Sequence, residues 1–325
     1  MCSLTTVVPS KLVAGPLRQN EWIPATNPFR FAGSSPTMKK ILIQFDTDPL
    51  ASTFDRVVAV DAGVEELFSY GGITPENVTG LVHGAIFTRG PAQLKNTAIF
   101  VGGSNVAAGE AVLKQVQNDF FGPMRVSAMM DSNGCNTTAA AAVAAAKQHV
   151  DLSAVEAIVP GGTGPVGQRV AQLLASEGAS VTLVSRSIER AESACEAIRA
   201  TTETGQLTAA GATTADETAA LCNGKSLIIA AGAAGVCFLE AGKLSKLDET
   251  QVAIDLNAVP PVGIADIGAQ EKANEHDGVI CYGALGVGGT KMKVHRQAVS
   301  QLFESNDAVI DTAEIYRIAL DVIAS

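Results

Sequence analysis

No uninterrupted apolar run in the 325 residues approaches the ~20 that a membrane-spanning helix requires, so a membrane role is not expected. Basic residues are the minority: 23 Lys and Arg stand against 33 Asp and Glu, a net charge of −10. The basic surface that nucleic acid demands is therefore missing. The six cysteines are scattered, with no CxxC pair and no His/Cys ligand spacing, which argues against a disulfide framework or a zinc site and fits a reducing cytoplasm. Internal repeats and long low-complexity tracts are lacking as well. Residues 1–37 lack the charged start and unbroken apolar core of a secretory leader. They hold five prolines and little periodicity, and although acid-poor like a transit peptide they read as a disordered extension ahead of a start at Met38. Trp22, the only tryptophan, lies there and is expected to emit as a water-exposed indole.

What is abundant is small and apolar: 47% hydrophobic residues and 31 glycines in a chain of two-domain length, as closely packed α/β layers require. One stretch organises the rest. Ala157-Ile158-Val159 reads as a buried strand, and Gly162-Thr163-Gly164-Pro165-Val166-Gly167 follows. An amphipathic helix comes next (Val170, Leu173, Leu174), and then a second strand, Val181-Thr182-Leu183-Val184. Strand, glycine turn, helix and strand make the context that the dinucleotide fingerprint needs. Gly162 allows the tight turn, Gly164 admits a pyrophosphate, Gly167 lets helix and strand pack closely, and the helix N-terminus favours the phosphates.

An NAD site normally carries Asp or Glu about 20 residues past the first glycine, on the ribose 2′-OH. Here Ser185 and Arg186 stand there, with Arg190 a helical turn on. A hydroxyl and two guanidinium groups suit a 2′-phosphate, so NADP is the expected cofactor and NAD a weaker alternative; solvated surface arginines are the plainer account. Loops leaving later strands, with Ala231-Gly232 and Asn257, are expected to border the same site, since open α/β sheets bind ligands at the carboxyl ends of their strands.

Alternating strands and helices also fill the first part of the chain, predicting a mainly parallel sheet. KKILIQFDTD opens it, Leu81–Phe87 and Thr97–Gly103 each read as strand into turn, and Asn136 is placed to cap an alanine-rich helix from Thr137 to about Gln148. The expected fold is α/β in two domains, residues 38–150 and a Rossmann-type domain over 151–288, with helices over 289–325 returning to the first. Gly286-Val287-Gly288-Gly289 is expected to lead into a helix from about Thr290 to Phe303. Projecting its apolar positions back by helical steps puts His295 and Lys291 on the inward face, four residues apart. That pattern equally describes a lysine snorkelling above a core histidine. Thr137 at a helix start and Phe54 after a turn are candidates to contact a ligand, with capping and core packing as the ordinary alternatives. His83, His149 and His276 share no ligand spacing.

Assembled, the chain resembles the methylene-tetrahydromethanopterin dehydrogenases of methylotrophic and related bacteria. The matching segments are QFDTD from Gln44, IFTRG from Ile86, AIFVGGSNVAAGE from Ala98 and FFGPMRVSAMMDSNGCNTTAAA from Phe120. They continue with GGTGPVGQR from Gly161, LNAVPP from Leu256, GALGVGGTKMKVHR from Gly283 and LFES from Leu302. The family is distantly similar to the methylene-tetrahydrofolate dehydrogenases. The resemblance implies NADP-dependent hydride transfer from a tetrahydromethanopterin-type C1 carrier in one-carbon metabolism. It implies an interdomain cleft in which Phe54, Thr137, Lys291 and His295 act, and homo-oligomers, trimers or multiples of them, in which a neighbour completes the cleft. Two alternatives remain: a methylene-tetrahydrofolate dehydrogenase, and a non-catalytic NADP-binding sensor or scaffold. Residues 1–37 have no counterpart in the family pattern, and Cys135 stands where a small serine is expected.

Overall fold

A computed structural model describes residues 38–202 and 204–325; the expectations for residues 1–37, Trp22 included, lie outside the described residues. The chain from Met38 to Ser325 forms one compact unit. It opens with β1 (Ile41–Asp46), buried along nearly its whole length, and α1 (Thr53–Asp61), capped by the Ser52 hydroxyl oxygen accepting the Asp55 N–H at 3.3 Å. Next come β2 (Glu66–Tyr70), α2 (Thr79–Phe87), β3 (Thr97–Gly102), α3 (Val106–Asn118), β4 (Ser127–Met130) and α4 (Cys135–Lys147).

Two of these elements depart from the sequence expectation. Leu81–Phe87, expected as a strand, belongs to α2, where Val82, Ala85 and Ile86 form a buried i, i+3, i+4 stripe. A short apolar run does not distinguish strand from buried helix by period alone. The segment before Gly71-Gly72, for which the sequence predicts no strand, contains β2, an edge strand too polar and exposed to announce itself.

The second sheet begins with β5 (Glu156–Pro160), α5 (Pro165–Ser176), β6 (Ser180–Ser185), α6 (Ile188–Arg199), β7 (Gln206–Gly211), α7 (Ala215–Cys222), β8 (Leu227–Ala230) and β9 (Val252–Asp255). The hairpin of β10 (Lys272–His276) and β11 (Val279–Tyr282) completes it. Its order is β10-β11-β9-β8-β5-β6-β7, parallel except for the β10–β11 pair. The first sheet is parallel throughout, in the order β12-β4-β3-β1-β2. Its outer member comes from the far end of the chain: α8 (Ala284–Gln301) is followed by β12 (Val309–Ile310), which pairs with β4, and by α9 (Thr312–Ala324).

In both sheets the order reverses at the first strand. β1 lies between β2 and β3, and β5 lies between β8 and β6, which puts a ligand crevice at the carboxyl end of each. α4 joins the two halves. It packs against α5, α8 and α9, and Ala139–Ala146 share one continuous core with Leu42, Phe100 and Met129 of the first sheet and Ala157 and Val159 of the second. A helix apolar on every side must be buried on every side, and alanine lets its neighbours come close. The expected boundary at 150/151 falls in the loop after this helix, and the core passes across it.

Candidate active site

The glycine turn after β5 is built as the fingerprint requires. The Gly162 N–H donates to the Val184 carbonyl at 3.0 Å, and a Cβ on Gly167 would lie 2.6 Å from the Gly162 Cα, so helix and strand meet only because both residues are bare. Pro165 starts α5, where its missing N–H costs nothing, and Val166 and Gly167 continue the helix. A cavity of about 310 Å³ opens beside the turn, within the range of small-molecule sites. Thr163, Gly164, Ser185, Arg186, Arg190, Ala231 and Gly232 all line it, and no carboxylate does. Arg186 and Arg190 are exposed, and among the described residues neither is held in a salt bridge. Ser187 fixes the start of α6 by accepting the Arg190 N–H at 3.2 Å. This set fits a dinucleotide bearing a 2′-phosphate.

Asn257 is not brought to that cavity. Its side chain is committed to its own loop, accepting the Val259 N–H at 2.9 Å and donating to the Pro261 carbonyl at 3.1 Å. Thr218, Val236 and Phe238 line the cavity instead. They reach it from α7 and from the irregular segment after β8, where no periodicity marks them.

A second cavity, about 350 Å³, lies at the carboxyl ends of β1, β3 and β4 and is lined by Asp48, Ser52, Phe54, Asp55, Gly103, Ser104, Asn133, Gly134, Thr138 and Lys291. Phe54 is not a core residue: it is 51% exposed, and the Lys291 ammonium sits 4.3 Å from its ring centroid. Lys291 does not stand on a first turn, as expected, because Gly286, Gly288 and Gly289 lie inside α8 and not before it. A Cβ on Gly286 would collide with the Glu271 carbonyl oxygen, so glycine serves there for close packing against the hairpin. Burial raises the Asp55 carboxyl above its ordinary range, with the Ser52 hydrogen bond and the Lys291 charge acting against that.

The structure places the other two expected residues behind this cavity. His295 is 1% exposed and stacks on Phe100 at 5.7 Å between centroids. Its two ring nitrogens have no hydrogen-bond partner among the described residues. Burial, and then the Lys291 charge, push it down to about 3, so it is neutral at physiological pH. Thr137 is fully buried, and its hydroxyl donates to Asp131 at 2.6 Å; Thr138 is the threonine on the cavity wall.

Asn136 is not the expected cap. α4 begins at Cys135, preceded by Gly134 in the left-handed region. The Asn136 amide donates to the Met130 carbonyl at 2.7 Å, and its oxygen accepts Arg169 at 3.0 Å and the Thr312 hydroxyl at 2.8 Å. The Cys135 thiol beside it is pushed up to about 12, by burial and then by Asp131, and is inert as a nucleophile. The tertiary fold also gathers Glu271, His276 and Cys281, whose ligand atoms lie within 4.8 Å of one another, a grouping that linear spacing conceals. His276 Nε2 is 2.9 Å from Glu271 Oε2, an ion pair when the imidazole is protonated, and burial pushes the adjacent Cys281 thiol up to about 12.

Comparison with known proteins bears on what this pair of cavities is. Residues 53–133 match the family model described as methylene-tetrahydromethanopterin dehydrogenase, N-terminal. The bifunctional protein MdtA of Methylorubrum extorquens is 43% identical over 288 residues, covering 87% of this chain and 99% of that protein. The chain belongs to the methylene-tetrahydromethanopterin dehydrogenase family. A second relative from the same organism, named NAD(P)-dependent methylenetetrahydromethanopterin dehydrogenase, is 30% identical over 83% of this chain and 94% of its own length. Among solved structures, a shikimate 5-dehydrogenase from Listeria monocytogenes superposes with a TM-score of 0.53 at 12% identity, covering 86% of this chain and 96% of that one, a likeness of fold alone. The family's matched segment runs from Thr53, beside Phe54, to Asn133. It thus spans the wall of the second cavity that α1 and the ends of β3 and β4 provide.

Proposed function

We propose that this protein oxidises the methylene bridge of a tetrahydromethanopterin-type C1 carrier to the methenyl form, with hydride transfer to NADP⁺. One observation carries the proposal: a carboxylate-free cavity with two arginines and a cleft formed by Phe54 and Lys291 occur in one folded unit of a chain from this family. Ser185, Arg186 and Arg190 would hold the 2′-phosphate, and the glycine turn the pyrophosphate. Bound NADP⁺ supplies the hydride acceptor.

No proton leaves the methylene carbon during hydride transfer, so no side chain acts as base in the chemical step. The work of the chain is placement, with proximity and orientation as the main levers. Phe54 offers a half-exposed aromatic face on which a pterin ring stacks, and the Lys291 ammonium donates hydrogen bonds to the pterin. Asp48 and Asp55 put negative charge on the wall of a cleft whose product is a cation delocalised over two nitrogens, which favours charge development in the transition state.

We read the protein as cytoplasmic, a reading that the free cysteines among the described residues support; among the described residues no helix is long and apolar enough to cross a membrane. It acts as a homo-oligomer, trimer or multiple, a reading supported by the exposed Phe68 and Tyr70 on the edge strand β2. Turnover with methylene-tetrahydromethanopterin and methylene-tetrahydrofolate, each with NADP⁺ and NAD⁺, tests the function. Greatest activity is expected with the methanopterin and NADP⁺. Activity with neither pterin would leave the sensor or scaffold reading in its place.

A further inference from the structure

Asp131 follows β4 and is 2% exposed, and no sequence pattern marks it. One carboxylate oxygen accepts the backbone N–H groups of Asn136 at 2.9 Å and Thr137 at 3.0 Å. The other accepts the Thr137 hydroxyl at 2.6 Å. The carboxylate thus serves as the cap that Gly134 does not provide to α4. A cap needs only an acceptor, however, and serine or asparagine would do. The charge is what capping leaves unexplained, because a carboxylate is almost never fully buried without a partner.

The Lys291 ammonium is the cation that acts on it, across the Gly134 turn and without a direct salt bridge among the described residues. Burial pushes Asp131 up to about 6, and the Lys291 ammonium is the foremost influence holding it down. Lys291 crosses the turn that Asp131 closes: the Gly134 N–H donates to the Asp131 carbonyl at 2.9 Å, and a Cβ on Gly134 would lie 3.4 Å from the lysine Nζ. The neighbouring Asn136 is tied in turn to Arg169 on α5, the helix that opens at the glycine turn. Asp131 therefore sits beneath the second cavity, on a polar chain that leads to the helix of the first.

We propose that Asp131 is a positioning residue for the hydride transfer, the buried counter-charge that fixes the Lys291 ammonium over the Gly134 turn in the pterin cleft. This rests on the reading of that cleft as the pterin site. Thr137 acts through it, steering the carboxylate and not touching the substrate.

A double-mutant cycle of the parent, Asp131→Asn, Lys291→Met and the double variant tests it. Asparagine keeps the shape and an acceptor for the two backbone bonds while removing the charge. The first readout is the midpoint of thermal unfolding without any ligand. Lys291→Met takes away the cation that offsets the burial of the carboxylate, so Asp131→Asn should raise the midpoint more in the Lys291→Met background than in the parent. The second readout is saturating turnover. Asp131→Asn should lower kcat by about tenfold or more with the KM for NADP⁺ unchanged, and should have no further effect once Lys291 is methionine. Should Asp131→Asn not fold, Thr137→Val removes one donor and keeps the charge; it should lower kcat, and Thr137→Ser should restore it. Additive effects in both cycles overturn the proposal and leave Asp131 a helix cap. Coupling in unfolding with an unaltered kcat overturns the positioning role. If the parent turns over neither pterin, the functional reading fails, while the unfolding cycle still decides whether Asp131 and Lys291 are paired.

Discussion

The Lys291 ammonium rests 4.3 Å from the centre of the Phe54 ring, so α8 and α1 meet at the one place where a cation and an aromatic face both border the second cavity. The ring is half exposed, which puts the attraction near ~1 kcal/mol. Phe54→Leu keeps an apolar surface but loses the ring face for both lysine and pterin. It should raise the KM for the pterin about fivefold or more and leave that for NADP⁺ unchanged, as steady-state kinetics with each substrate varied will show.

Lys291→Met keeps the apolar stem, so packing loss should stay below about 1.5 kcal/mol. If the ammonium is used as the transition state forms, turnover falls more than the cofactor's KM rises. Parent-like turnover with either pterin would make Lys291 a snorkelling residue and no part of the catalytic set.

Arg186→Ala addresses the cofactor. A charge-assisted hydrogen bond to phosphate contributes about 1.5–3 kcal/mol, so its loss should raise the KM for NADP⁺ by about tenfold or more while NAD⁺ kinetics stay nearly constant. Equal losses with both cofactors would assign Arg186 to the fold.

His295 carries a pH signature. Its folded value lies far below the ordinary 6.5, so the unfolded chain takes up the proton first and the native state loses stability as pH falls from about 6.5 toward 3. Asp131, raised from 3.8 to about 6, has the opposite slope, with stability lost as pH rises between those values. His295→Phe isolates the histidine component. It removes two unpartnered nitrogens and a buried titration, so it should raise the unfolding midpoint and flatten the acid-side decline. A decline as steep as the parent's between pH 6 and 4 would refute the assignment.

Two glycines of α8 make a matched pair. At Gly286 a Cβ would strike the Glu271 carbonyl, while at Gly288 nothing lies within 4 Å. Gly288→Ala should stabilise by about 0.5–1 kcal/mol through helix propensity, and Gly286→Ala should destabilise by pushing the β10–β11 hairpin away. Unfolding midpoints of the two variants decide it.

The parts whose physics is local could be read from the residues alone. β5, the glycine turn, α5 and β6 were legible because backbone approach, helix period and the Ser185-Arg186 pair all lie within about thirty contiguous residues. Helical spacing likewise put Lys291 and His295 on the same face of α8. Tertiary structure decided what depends on distant partners. The edge strand β2 and the two-residue β12 are held by neighbours and not by their own propensity, and α2 is a helix because β-strand and buried-helix runs share a composition. Which of the four expected cleft residues reach the cavity was decided there too, leaving Phe54 and Lys291 on the wall and Thr137 and His295 behind it. Asp131 was the least legible, because a lone carboxylate between a strand and a helix looks like any loop acid until burial removes its water. Only the tertiary packing brings that charge under the influence of a lysine 160 positions away in the chain.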